Sequence, residues 1–142
     1  MRRASRWRVP REQGTALPFS VLIVDDDPGT QRVLSVLIEV EDRLAPTDQA
    51  YSGAEALHHV ATRCPDVIIC DVNMPGMSGL QALPLLRQAC PDAVIALYNS
   101  HPMARTGLQL GADATFDKSS TDPSEMLAEL LRLCEASVRT SA

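Results

Sequence analysis

Val21-Leu22-Ile23-Val24-Asp25-Asp26-Asp27 and Val67-Ile68-Ile69-Cys70-Asp71 decide how this chain folds. Each is a short run rich in β-branched residues that stops at carboxylates, the pattern of a strand buried on both faces of a parallel sheet. An ionised carboxylate at the edge of such a core is costly unless it is paired. Several of them at strand ends imply a cation, and the simplest one is a hard divalent metal held by oxygen ligands.

Working outward from these runs, strand and helix alternate five times. The first strand is expected at about 20–25, with Asp27 capping the next helix, Pro28 in its first turn, and Val33, Leu34, Val36, Leu37 and Val40 as its apolar face. A weak strand falls within 44–50, where Pro46 and Asp48 suggest a sheet edge. Ser52-Gly53-Ala54-Glu55 reads as a capping box opening the second helix. The third strand covers 66–70, and Ser78-Gly79-Leu80-Gln81 opens the third helix in the same way. Ala93-Val94-Ile95-Ala96-Leu97 is the fourth strand, and the fourth helix runs from about Pro102 to about Gly111. The fifth strand is expected at about 113–117, and Asp122-Pro123-Ser124-Glu125 starts a last helix reaching about 138.

Five such units predict an α/β fold, a doubly wound five-stranded parallel sheet with helices on both faces, since right-handed crossovers place them there. Ligands bind such sheets at the carboxyl ends of the strands, where strand order reverses. With the order 2-1-3-4-5, strands one and three are neighbours about 4.8 Å apart, and Asp25 and Asp26 face Asp71. Strand four brings Tyr98 to the same rim and strand five brings Lys118. Lys118 is the only lysine among 13 basic residues, which suggests that a compact point charge is needed at that position.

At 142 residues and 45% hydrophobic, the chain suits one domain with a sizeable core. It has no apolar run long enough to span a bilayer and no secretory signal, so a cytoplasmic location is expected. The organisation expected is an arginine-rich, disordered leader over 1–19, a domain over 20–138 and a short tail over 139–142. Arg2, Arg3, Arg6, Arg8 and Arg11 stand against Glu12 in the leader, a local charge of +4, which leaves −9 for the remainder of a chain whose net charge is −5. The domain is therefore acidic and offers no basic stripe for nucleic acid; an electrostatic tether through the leader is the sharper alternative to a plain tail. Cys64, Cys70, Cys90 and Cys134 have no CxxC spacing and are expected as reduced core residues. His58, His59 and His101 are expected as surface or capping residues.

Three motifs then coincide. Val24-Asp25-Asp26-Asp27-Pro28, Asp71-Val72-Asn73-Met74-Pro75-Gly76-Met77-Ser78-Gly79-Leu80 and Gly111-Ala112-Asp113 followed by Lys118 resemble, in order and spacing, the motifs of response-regulator receiver domains over about residues 20–138. The resemblance implies a flavodoxin-like, CheY-like domain of two-component signalling. It implies that Asp71 accepts a phosphoryl group from a histidine kinase or phosphotransfer protein. It also implies that Asp25, Asp26, Asp71 and the backbone carbonyl of Asn73 gather Mg²⁺, and that Lys118 contacts the phosphoryl oxygens. A carboxylate is a weak nucleophile, but it attacks phosphorus when the transferring group is positioned and its charge neutralised. Asp27 is read as a helix cap and not as a ligand.

Two positions depart from that family pattern. Tyr98 stands where most receivers place Thr or Ser, and Thr115 where they place an aromatic; Asn99 and Ser100 are substitute hydroxyl or amide donors. Ser119 follows the lysine where many members have proline. Two function classes follow. One is a stand-alone phosphorylatable receiver that signals through the face of helix four, strand five and helix five, with no enzyme activity of its own. The other is a receiver used as a phosphorylation-independent interaction module. A phosphoaspartyl hydrolase is disfavoured because residue 73 is Asn, where such enzymes commonly place a second acid.

Overall fold

The computed structural model describes residues 18–100 and 104–141. Five strands and five helices alternate: β1 (Phe19–Val24), α1 (Pro28–Glu39), β2 (Leu44–Pro46), α2 (Gly53–Thr62), β3 (Val67–Cys70), α3 (Gly79–Ala89), β4 (Val94–Asn99), α4 (Ala104–Leu110), β5 (Ala114–Asp117) and α5 (Pro123–Ser141). All strand pairs are parallel, in the order β2-β1-β3-β4-β5. The expected doubly wound fold is therefore borne out.

Alternation along the strands divides the core into two layers. Val21, Ile23, Val67, Ile69, Val94, Ala96 and Tyr98 face Leu34 and Ile38 of α1 and Met126 and Leu130 of α5. Leu22, Val24, Ile68, Cys70, Ile95 and Leu97 face Ala56 and Val60 of α2 and Leu83 and Leu86 of α3. Helix α4 lies on this second side, close to the sheet. A Cβ on Gly107 would stand 2.5 Å from Leu97 Cδ1 and 3.0 Å from Thr115 Cγ2.

The helix starts follow the sequence with one change of partner. Asp27 accepts from the backbone N–H groups of Gly29 and Thr30, and Ser78 with Gln81 forms the full reciprocal box. Ser52 accepts from Glu55 N, but the Glu55 carboxylate reaches back to the N–H of Tyr51, not to that of Ser52. Strand β4 runs to Asn99, beyond its apolar stretch, because Tyr98 and Asn99 pair with Phe116 and Asp117. β2 is only three residues long, cut short at Pro46 as suits an edge.

The expectation of four reduced cysteines is corrected at one pair. Cys64 and Cys90 are joined in a disulfide with their Cα atoms 5.6 Å apart, while Cys70 and Cys134 are buried and take part in no disulfide. Cys64 enters β3 and Cys90 precedes β4; these strands are neighbours, so the connections leading into them lie side by side. Residues separated by 26 positions meet through the topology, and no local spacing announces it. No helix among the described residues is long and apolar enough to cross a membrane. The arginine-rich leader up to residue 17, and His101, lie outside the described residues.

Candidate functional site: an acidic rim with one ammonium

The register of β1 and β3 builds the site. Val24 pairs with Cys70, and Asp71 N donates to Val24 O at 2.8 Å, so the residues just past the two strands, Asp25 and Asp71, end side by side. Carboxylate oxygens of Asp25, Asp26 and Asp71 all lie within 4.8 Å of one another. Asp25 is 2% exposed and Asp71 7%, whereas Asp26 is exposed.

Strand β5 delivers the counter-charge. Lys118 N donates to Asn99 O at 2.9 Å, which fixes the backbone. Its ammonium then donates to Asp25 Oδ2 at 2.8 Å and stands 3.7 Å from Asp71 Oδ1. Asp25 Oδ1 is occupied by the N–H of Asp27 at 2.9 Å. One ammonium thus meets the two buried carboxylates of a three-carboxylate cluster.

That imbalance appears in the acidities. Burial first, and the charge of Asp25 second, push the Asp71 carboxyl above its ordinary value, against Lys118 and the backbone N–H groups of Asn73 and Val72. Burial alone would lower Lys118; the hydrogen bond and charge of Asp25, helped by Asp71, raise it overall. The Cys70 thiol, fully enclosed and next to both carboxylates, is pushed up to about 12 and is inert. An all-oxygen set of three carboxylates with a surplus of negative charge fits a hard divalent ion such as Mg²⁺.

The predicted residues Asp25, Asp26, Asp71 and Lys118 are therefore brought together, and the backbone N–H of Asn73 donates to the Asp71 carboxylate. Tyr98 is turned to the α1–α5 side, 6% exposed, with Lys118 Nζ 5.5 Å from its ring centroid. It walls a cleft of about 370 Å³ with Thr30, Val33, Lys118 and Pro123. Sequence reasoning missed Gln31. Its buried amide donates to Ile23 O, Asp25 O and Ala50 O at 3.2, 3.0 and 2.9 Å, holding the backbone that aims Asp25. Gln31, Leu34 and Ile38 share the buried stripe of α1, so an amide at an apolar position was the available signal.

Residues 21–131 match the family model described as the response regulator receiver domain. The chain belongs to this family. The receiver domain is 33% identical over 129 residues to a protein-glutamate methylesterase/protein-glutamine glutaminase of Myxococcus xanthus, covering 88% of this chain and 37% of that protein. It is 32% identical over 123 residues to a nitrate/nitrite response regulator homolog of Haemophilus influenzae, covering 84% and 59% respectively. The chain thus spans about a third and about three fifths of these two relatives. Among solved structures, a two-component response regulator of the LuxR family from an Aurantimonas species superposes with a TM-score of 0.77 at 25% identity, covering 84% of this chain and 86% of that one. Phosphorylation and Mg²⁺ binding are typical of the family, whose receiver domains interact with histidine kinases and output domains.

Proposed function

We propose that this receiver domain is a cytoplasmic phosphoacceptor of a two-component pathway, taking a phosphoryl group on Asp71 from a histidine kinase or phosphotransfer protein. The observation that carries this reading is the buried Asp71 carboxylate, set beside Asp25 and within 3.7 Å of the Lys118 ammonium. An Asp71 oxygen attacks phosphorus as the donor's bond to phosphorus breaks, and the new acyl phosphate places its negative oxygens toward Lys118. Asp25, Asp26, Asp71 and the Asn73 carbonyl are the groups that would hold Mg²⁺. When bound, the ion neutralises charge on the transferring group. Output runs through contacts with another protein or domain at the α4–β5–α5 face, without an enzymatic step. The phosphoryl mimic beryllofluoride tests this reading: with Mg²⁺ it should shift the amides of Asp71, Asn73 and Lys118, and an unchanged spectrum counts against it.

One observation favours the second reading, a phosphorylation-independent interaction module. Thr115 occupies the position where receivers usually carry the aromatic of the switch, and Gly107 is seated on Thr115 and Leu97 with no space beneath it. The β5 aromatic is Phe116, on the opposite side of the sheet and paired with Tyr98. A site that accepts phosphate while the α4–β5–α5 face stays unchanged would be this module.

A further inference from the structure

We propose that Cys64–Cys90 is a thiol–disulfide exchange site for small thiols such as glutathione, placed at the end of the sheet opposite the acidic rim. The two cysteines differ in exposure. Cys64 is partly exposed and lines a cleft of about 740 Å³ with Ser20, Thr47, His58, His59 and Arg63. Cys90, the C-cap of α3, is 1% exposed. A small thiol therefore enters by the cleft and meets Cys64. The Arg63 guanidinium on that wall favours its thiolate form, with Asp48 as the opposing charge.

The exchange balances without further reagents. The incoming thiolate bonds to Cys64 Sγ, the Cys64–Cys90 bond breaks, and Cys90 leaves as a thiolate that takes up a proton. A second thiol attacks the mixed disulfide, releasing the oxidised thiol dimer and the Cys64 thiol. Two small thiols are thus oxidised and one protein disulfide is reduced. The Ala89 carbonyl, 3.3 Å from Cys64 Sγ, is a ready acceptor for the freed thiol. In a cytoplasm kept reducing by thiols, the location proposed above, such a bond is transient and responsive.

The bond has a defined mechanical consequence. It ties the C-terminal end of α2 to that of α3 and closes a loop containing β3, Asp71 and α3. The N-terminal ends of the same helices are held separately. Gly53 packs against Met77 and Ala82, and Gly79 sits on the Asp71 carbonyl so closely that a Cβ has no room. Opening the bond therefore loosens the far ends of α2 and α3 and leaves the rim in place.

The test uses the full chain purified without reductant, native maleimide labelling and intact mass. No adduct is expected before treatment, since Cys70 and Cys134 are buried. Prompt single labelling at Cys64 is expected after reduced glutathione. In Cys90→Ser, oxidised glutathione should add one glutathionyl group at Cys64; in Cys64→Ser it should add none at Cys90. Hydrogen exchange of the wild type should quicken in the last turns of α2 and α3 on reduction, with Asp25, Asp71 and Lys118 amides unchanged. Labelling of Cys64 without reduction, a bond that opens only in denaturant, preferential modification of Cys90, or exchange rates indifferent to reduction would each overturn the proposal.

Discussion

The Lys118 ammonium donates to Asp25 Oδ2 at 2.8 Å, so the cation of β5 is anchored by the aspartate of β1. It is 3.7 Å from the carboxylate it would assist, that of Asp71. Asp25 therefore has two tasks, as a candidate metal ligand and as the fixed partner that keeps Lys118 aimed across the rim.

Lys118→Ala should slow phosphorylation by acetyl phosphate by about a hundredfold, the order lost when one preorganised positive donor is removed. Lys118→Arg should not restore the rate, because a planar fork cannot occupy the site of a point charge between two buried carboxylates. Circular dichroism should report folded protein for both. A wild-type rate in the arginine variant would show that the ammonium has no specific part.

Asp71 ought to weaken the fold when no ion is present. Its carboxyl is raised by burial and by Asp25. A group with a higher pKa folded than unfolded contributes stability that is full below the unfolded value, near 3.8, and is lost as pH rises through the folded value. Asp71→Asn cannot ionise, so in EDTA it should gain on the wild type across that window, reaching about 1 kcal/mol at pH 7. The margin should vanish at the acid end. Urea titrations at a series of pH values measure it, and a less stable variant at pH 7 would contradict the electrostatic account.

Helix α4 leaves no slot for a moving ring. With Leu97 Cδ1 at 2.5 Å and Thr115 Cγ2 at 3.0 Å from a Cβ built on Gly107, Gly107→Ala should destabilise by about 1–3 kcal/mol through overpacking, read as a lower Tm. For the same reason beryllofluoride should produce only small amide shifts on the α4–β5–α5 face of the wild type. Shifts there as large as those at the rim would show a working switch by another route.

Arg87 joins three elements at the far end of the sheet. It donates to Gly111 O at 3.0 Å, to Ala93 O at 2.7 Å and to Asp113 Oδ2 at 2.7 Å, and Asp113 Oδ2 also accepts from Ile95 N. Arg87→Ala should cost about 2 kcal/mol, because part-buried carbonyls lose a charged donor. Chemical denaturation checks this, with phosphorylation at the distant rim expected to persist.

The strand order and the carboxylate rim were legible because both rest on rules that act along the chain. A run such as Val67–Cys70, apolar on both sides, can only be an inner strand, and right-handed crossovers then fix which strand ends are neighbours. Lys118 could be placed because a lone lysine follows the last strand. What was not legible depends on contacts between distant segments. The Cys64–Cys90 bond forms because β3 and β4 lie side by side, and the Arg87 cluster because α3 ends above the turn at Gly111. Strand β4 outran its apolar pattern since its final pairs are made by Tyr98 and Asn99. Tyr98 was placed at the rim from its strand position, but its ring follows Val94 and Ala96 to the α1–α5 side and packs beneath Lys118.

The most direct test of the account is intact mass after incubation with acetyl phosphate, with and without Mg²⁺, on the wild type and on Asp71→Asn. One acid-stable, base-labile phosphoryl group is predicted on the wild type with Mg²⁺, and none without the ion or in the variant. No mass gain in the wild type, or a gain that survives Asp71→Asn, would contradict the assignment of Asp71 as the phosphoacceptor.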